Sequence, residues 1–247
     1  MSNLAVNMKG LWEPSLQRSA ERVLAGGDFM AIQRAKGLAD EVYDVIFNKL
    51  MLLEIAPASR ITVDNLVREL GVSHTPIREA LGRLEGEGLV EKAHFVGYSA
   101  APQISRKRFD ELYELRLLLE PYAAKHAAVN MEKAALAHLK EIAAEMSALG
   151  NNNQRLHYSS FARLDAVFHD EMMAIAGNQL VRDTLSHLHT HFHIFRLMFQ
   201  ARVTEEALNE HVAILSAFER KDGAAAEIAM RDHIARSRER LLQAFAE

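Results

Sequence analysis

The chain has 247 residues, 49% of them hydrophobic, enough for two small domains or one large one with a sizeable buried core. It contains no cysteine, which excludes a disulfide framework and a thiolate metal site and fits a reducing, cytoplasmic setting. Its formal net charge of -4 excludes a uniformly basic nucleic-acid binder, but not a basic surface on one domain.

No apolar run approaches the ~20 residues of a membrane span, and the N-terminus lacks the basic-then-apolar pattern of a secretory signal. No membrane partner is expected. Residues 1–35 contain Pro14 and Gly26-Gly27 with scattered apolar residues, and are read as a flexible arm with a short helix near 15–25. From Leu38 to Glu54 the spacing of Leu38, Val42, Val45, Ile46, Leu50 and Leu53 is helical, and Ala56-Pro57 ends it. A second helix fits Val63 to Leu70, with Leu66 and Leu70 inward and Gly71 as the stop. Thr75-Pro76 predicts a third helix start, a hydroxyl cap followed by proline where no backbone donor is needed. Ile77, Leu81 and Leu84 form its buried stripe, and Gly88 stops it. Leu89–Glu91 and Tyr98–Ala100 read as two short strands around a Gly97 turn. Residues 36–102 therefore predict a winged helix-turn-helix.

From residue 104 to 247 the pattern is all helix, with helices near 106–129, 131–149, 154–176, 179–201, 205–220 and 222–245. Gly150-Asn151-Asn152-Asn153, Gly177-Asn178 and Asp222-Gly223 supply the breaks. The predicted fold class is mainly α: an N-terminal winged helix-turn-helix plus a C-terminal antiparallel six-helix bundle.

In helix-turn-helix proteins the start of the second helix meets base edges in the major groove. Here that end carries Ser73, His74, Thr75 and Arg78. Arg78 lies opposite the apolar stripe and faces outward, where it suits a guanine or a phosphate. Ser73, Thr75 and the free amides of the helix start suit a phosphate. Arg68 and Arg83 are nearby cations, and Gly97 marks the wing.

Most of the twelve histidines follow residue 125. Asp165 and His169 are four apart and share a helix face with Phe161, Phe168, Met172 and Met173. His211 lies in the stripe Leu208/His211/Leu215/Phe218, and His233 in Met230/His233/Leu241. Singly, each histidine reads as a hydrogen-bonded core residue. Together, one carboxylate and three imidazoles pointing into one bundle would be costly to bury unpaired, and a divalent ion offsets that cost. Three nitrogens and one oxygen suit zinc or nickel rather than calcium or magnesium. His187, His189, His191 and His193 have metal spacing in pairs but on different helix faces. They are read as surface or pocket-lining, one of them within reach of an effector cavity.

The run Leu70-Gly-Val-Ser-His-Thr-Pro-Ile-Arg-Glu-Ala-Leu-Gly-Arg-Leu-Glu-Gly-Glu-Gly-Leu-Val90 resembles the DNA-binding signature of GntR-family regulators. Two departures concern the operator: His74 stands where the family usually has arginine, and Phe95-Val96-Gly97 where it often has Asn-Arg-Gly. Glu114–Ala124, Asp165-Ala-Val-Phe-His169, Ala176-Gly-Asn178, His211 and His233 resemble the FCD domain of the FadR branch, and six helices resemble its shorter VanR-type variant. The resemblance implies a homodimer that binds a double-stranded inverted-repeat operator. It implies Asp165, His169, His211 and His233 as metal ligands. It also makes Arg116 the residue presented to an effector, although Glu120 or Glu111 on the same helix offers it an ion pair. Arg196 is a second effector candidate. A metal with open positions beside an arginine suits a small carboxylate, so a repressor released by an organic acid is expected. The alternatives are a metal-only sensor and a metal-dependent enzyme. Against the enzyme, no general base is placed as in a His-Glu-x-x-His helix.

Overall fold

The computed structural model describes residues 37–93, 97–150, 155–197 and 205–245. The expected N-terminal arm with its short helix, and Phe95 and Val96 of the wing, lie outside them. Helix α1 spans Leu38–Met51 and buries Val42, Tyr43, Ile46, Phe47, Leu50 and Met51. It is shorter than the 38–54 expected, and its buried face is rotated: Leu38 and Val45 are exposed, while Tyr43 and Phe47 point inward. The larger aromatic area outweighs the aliphatic pattern.

Strand β1 (Arg60–Ile61) precedes α2 (Val63–Leu70), which ends at a left-handed Gly71 as its sequence requires. Helix α3 (His74–Gly86) has Ser73, not Thr75, at its N-cap position, with no side-chain cap hydrogen bond. Pro76 still fits, because none of the amides in a helix's first turn has an intrahelical partner. Ile77, Leu81 and Leu84 are fully buried, each contributing about 1.5–3 kcal/mol of apolar burial. Strands β2 (Val90–Ala93) and β3 (Gly97–Ala100) complete an antiparallel sheet in the order β1-β3-β2. Ile61 pairs with Tyr98, and Val90 with Ala100.

The bundle consists of α4 (Arg106–Asn130), α5 (Lys133–Gly150), α6 (Arg155–Ala176), α7 (Gln179–Ser186), α8 (Thr190–Leu197), α9 (Glu205–Glu219) and α10 (Gly223–Leu242). The single helix expected over 179–201 is thus two, giving seven helices rather than six among the described residues. The break is at His189, held in the left-handed region at φ 44. Its ring lies so close to Gly88 that a Cβ there would sit 2.9 Å from the His189 Cδ2. A tertiary contact therefore sets the turn, which local propensity does not announce.

Two apolar cores form. One lies in the bundle around Phe109, Tyr113, Phe168, Met172 and Phe218. The other lies in the winged helix and takes in Ala162 of α6, with Phe192 and Phe195 of α8 packed against it. Polar contacts reinforce this join: Arg163 bonds Asp44 at 2.9 Å, and Ser159 donates to Asn48 at 2.6 Å. No helix is long and apolar enough to cross a membrane, among the described residues.

Candidate functional site

Helix α6 supplies Asp165 and His169 from its inward face, α9 supplies His211 and α10 supplies His233. All four are buried, and one ligand atom from each lies within 4.8 Å of every other. Ring centroids are 4.8 Å apart for His211 and His233, and 5.2 Å for His169 and His233. The four residues singled out from the sequence are therefore brought together.

The outer groups orient the ligands. The Nδ1 of His169 is 2.6 Å from Glu120 Oε2, and Glu120 is fixed by the Arg116 Nε at 2.5 Å. The Nδ1 of His233 is 2.9 Å from Glu210 Oε2, and Glu210 accepts two bonds from Arg240, at 2.7 and 2.9 Å. Such carboxylate–imidazole pairs fix which ring nitrogen faces an ion. Burial pushes His169 and His233 down to about 4, so both are neutral, the form that binds a metal. Burial opposes ionisation of Asp165 and Glu120. Even so, the neighbouring His191 and His211 hold the first well below the usual carboxylate range, and Arg116 and His169 hold the second there.

The donor set fits a divalent ion. The Nε2 of His169 and both ring nitrogens of His211 are buried without a hydrogen-bond partner. His211 Nε2 does lie 3.2 Å from Asp165 Oδ1, but off the hydrogen-bonding direction, so that contact is electrostatic only. Unpartnered buried nitrogens are expensive, and a metal on that side would satisfy them. Glu120, His169 and His191 form a second close group, but Glu120 already serves Arg116.

Sequence reasoning missed three members of this centre. Glu120 entered it only as a partner for Arg116, and Glu210 not at all. His191, one of the four clustered histidines, has its Nδ1 2.8 Å from Asp165 Oδ2. Of the effector candidates, Arg116 is buried at the centre in its pair with Glu120. Arg196 sits elsewhere. It is buried and donates to the Ala101 carbonyl at 2.7 Å, while its own carbonyl accepts from Gln103, so it clasps the segment joining winged helix and bundle.

On the winged helix, Ser73, His74, Thr75 and Arg78 are exposed at the start of α3. His74 Nε2 lies 2.8 Å from Asp64 Oδ1 of α2. Arg68 bonds Asn65 on its own helix. Arg83 is turned onto α1, bonding Asp40 at 2.7 Å and covering the Tyr43 ring at 4.1 Å. Gly97 is exposed with open space where a Cβ would stand.

Residues 38–98 match the family model described as bacterial regulatory proteins, gntR family, and residues 111–236 match the FCD domain. The chain is 28% identical over 174 residues to the HTH-type transcriptional regulator YdhC of Bacillus subtilis, covering 69% of this chain and 76% of that protein. It is 29% identical over 171 residues to the Nta operon transcriptional regulator of Aminobacter aminovorans, covering 69% and 79%. Among solved structures, Escherichia coli McbR/YncC superposes with a TM-score of 0.65 at 19% identity, over 85% of this chain and 99% of that one. A GntR transcriptional regulator of Rhodococcus sp. RHA1 gives 0.59 at 17% identity, over 83% and 97%. At these identities the likeness is one of fold.

Proposed function

The chain belongs to the GntR family, FadR branch, as a transcriptional regulator with a DNA-binding GntR domain and an FCD domain, and from that premise we propose a metal-dependent, acid-responsive homodimer. The families and relatives it matches regulate transcription and are not enzymes, which sets the metal-dependent enzyme aside.

In this reading a divalent ion, zinc or nickel, is held by Asp165, His169, His211 and His233. The observation that carries it is the convergence of one carboxylate and three buried imidazoles, with the His169 Nε2 and both His211 ring nitrogens lacking a hydrogen-bond partner. Asp165 cancels one of the ion's two charges, so the centre keeps about one positive charge in a low-dielectric bundle. A small carboxylate is the matching effector; Arg116, whose charge Glu120 already meets, would offer it hydrogen-bond donors rather than net charge. The protein is a repressor released when that acid binds. Two subunits read an inverted-repeat operator through Ser73, His74, Thr75 and Arg78, since half-sites read by identical subunits call for a two-fold axis. Arg68 and Arg83 flank that surface, and Gly97 stands at the wing.

The test is elemental analysis of the purified protein, followed by operator-binding assays after chelation, with metal restored, and with metal plus organic acids. Metal restoring a response to acids supports the reading. A response to metal alone would make the protein a metal-only sensor, and no metal content would remove the centre.

A further inference from the structure

A cavity of about 410 Å³ opens between the winged helix and the bundle, beside the metal centre. Tyr43 and Glu87 form its wall on the DNA-binding side, and Val167, Met173, Leu185 and Phe192 supply an apolar wall on the bundle side. Thr190, the first residue of α8, also lines it. Thr190 is only 3% exposed, and its hydroxyl has no hydrogen-bond partner. A buried hydroxyl facing a cavity without a partner is poised for a ligand's polar group.

The charges on the wall decide the kind of ligand. Four carboxylates (Glu87, Glu120, Asp170 and Glu171) face one guanidinium, that of Arg163. Arg163 is bonded to Asp44, so its charge is already met. Asp170 is held by Arg182 at 2.6 and 2.9 Å, and Glu120 by Arg116. Glu87 accepts from the Tyr43 hydroxyl at 2.6 Å, and Arg163 and Arg83, each bonded to another carboxylate, act on it only through space. Counting these arginines and the carboxylates they serve, negative charge remains in excess, so an anion entering here would be disfavoured. An amine or a hydroxyl would find acceptors at Glu87 and Thr190.

We propose that this cavity is a second ligand site, taking a small uncharged or cationic molecule with a ring-sized apolar body and an amine or hydroxyl head. It goes beyond the metal-bound carboxylate and does not depend on it. Its occupant touches the DNA-binding domain directly at Tyr43 and Glu87. It also touches α8, whose His191 is bonded to Asp165. Two signals would thus meet on one helix.

The test uses full-length, metal-loaded protein and three probes with one ring and different heads: benzylamine, benzyl alcohol and benzoate. Methyl NMR shifts of Val167, Leu185 and Met173 report occupancy. Saturable shifts with the amine or the alcohol are expected, and, in chelated protein where no metal can hold the acid, none at these methyls with benzoate. Thr190→Val removes one hydrogen bond at constant shape and should weaken binding about five-fold. Val167 is 39% exposed, so Val167→Trp should fold normally and abolish binding by filling the mouth. Chelated protein should bind the amine and the alcohol as before, which separates this site from the metal reading. The proposal is overturned if none of the probes shifts these methyls, if benzoate does so equally in chelated protein, or if both variants bind like the parent protein.

Discussion

The Nδ1 of His191 lies 2.8 Å from the Oδ2 of Asp165, tying α8 to the candidate metal centre. The same short helix touches the winged helix elsewhere: the Phe192 ring meets Phe47 of α1 edge-on at 5.3 Å, and Arg196 holds the Ala101 carbonyl. A displacement of Asp165 would therefore reach an element that contacts the DNA-binding domain. Coupling of this kind requires only that the ion or its ligand favour one arrangement of α8 over another.

His191→Phe keeps a ring of similar size and removes the bond to Asp165. Loss of an outer hydrogen bond to a metal ligand lowers affinity about 10-fold or more. We expect that loss in a competition titration against a chromophoric chelator, together with a blunted effector response. Wild-type metal affinity in this variant would detach α8 from the centre.

His211→Ala and His233→Ala should each lower metal occupancy and the response to acids. Operator binding by the metal-free protein should stay close to that of the parent, because neither side chain belongs to the winged-helix core. Metal content measured on both variants decides it, and unchanged content would refute the four-residue site.

Arg78 is exposed near the start of α3, next to Ile77 of the buried stripe. Arg78→Ala should fold normally and lose about 1–3 kcal/mol of discrimination between operator and random DNA. Equal affinity at physiological salt would place another element in the groove.

The fold was legible wherever periodicity is long or punctuation strong. Helix α2 begins and ends where Val63, Leu70 and Gly71 require, and the Asp165/His169 pair shares a face because four residues make one helical turn. Strand β1 was not legible, since two residues carry no alternation. His191 is read from sequence only as surface or pocket-lining, because on a single helix over 179–201 its pair and the other fall on different faces. The break at 187–189 has neither glycine nor proline, and it is stabilised by a ring packing on Gly88, about 100 positions away. Glu120 and Glu210 meet their histidines across helices, at separations of 49 and 23 residues, which no local spacing encodes.

Gly88 stands between α3 and β2 with φ +69, and a Cβ there would lie 2.9 Å from His189 Cδ2. Gly88→Ala should lose about 1–2 kcal/mol from the left-handed backbone alone, and more from the displaced ring. Adding His189→Ala should recover the steric part and leave the backbone part. Urea unfolding of the single and double variants measures both. If the double variant were no more stable than Gly88→Ala, the ring would not be the obstacle.

The last prediction concerns acid stability. Burial pushes His193 down to about 4, and the nearby Arg196, His189 and Arg108 act in the same direction. Its Nδ1 is buried without a partner, so protonation brings no new bond to repay the charge. The unfolded chain takes up this proton near pH 6.5, an ordinary histidine value, whereas the folded chain resists until about 4. Between those values the unfolded state binds more protons, so stability falls as the pH falls, by at most about 1.4 kcal/mol per pH unit for one group. Above pH 7 both states are unprotonated and the effect vanishes. His193→Gln removes the titration while keeping a polar side chain of related size. Its unfolding free energy should therefore decline less steeply than that of the parent between pH 6.5 and 4, whatever the offset at pH 7.5. Urea midpoints of metal-saturated protein across that range provide the comparison. Parallel curves would mean that His193 takes up its proton as readily in the folded protein as in the unfolded chain.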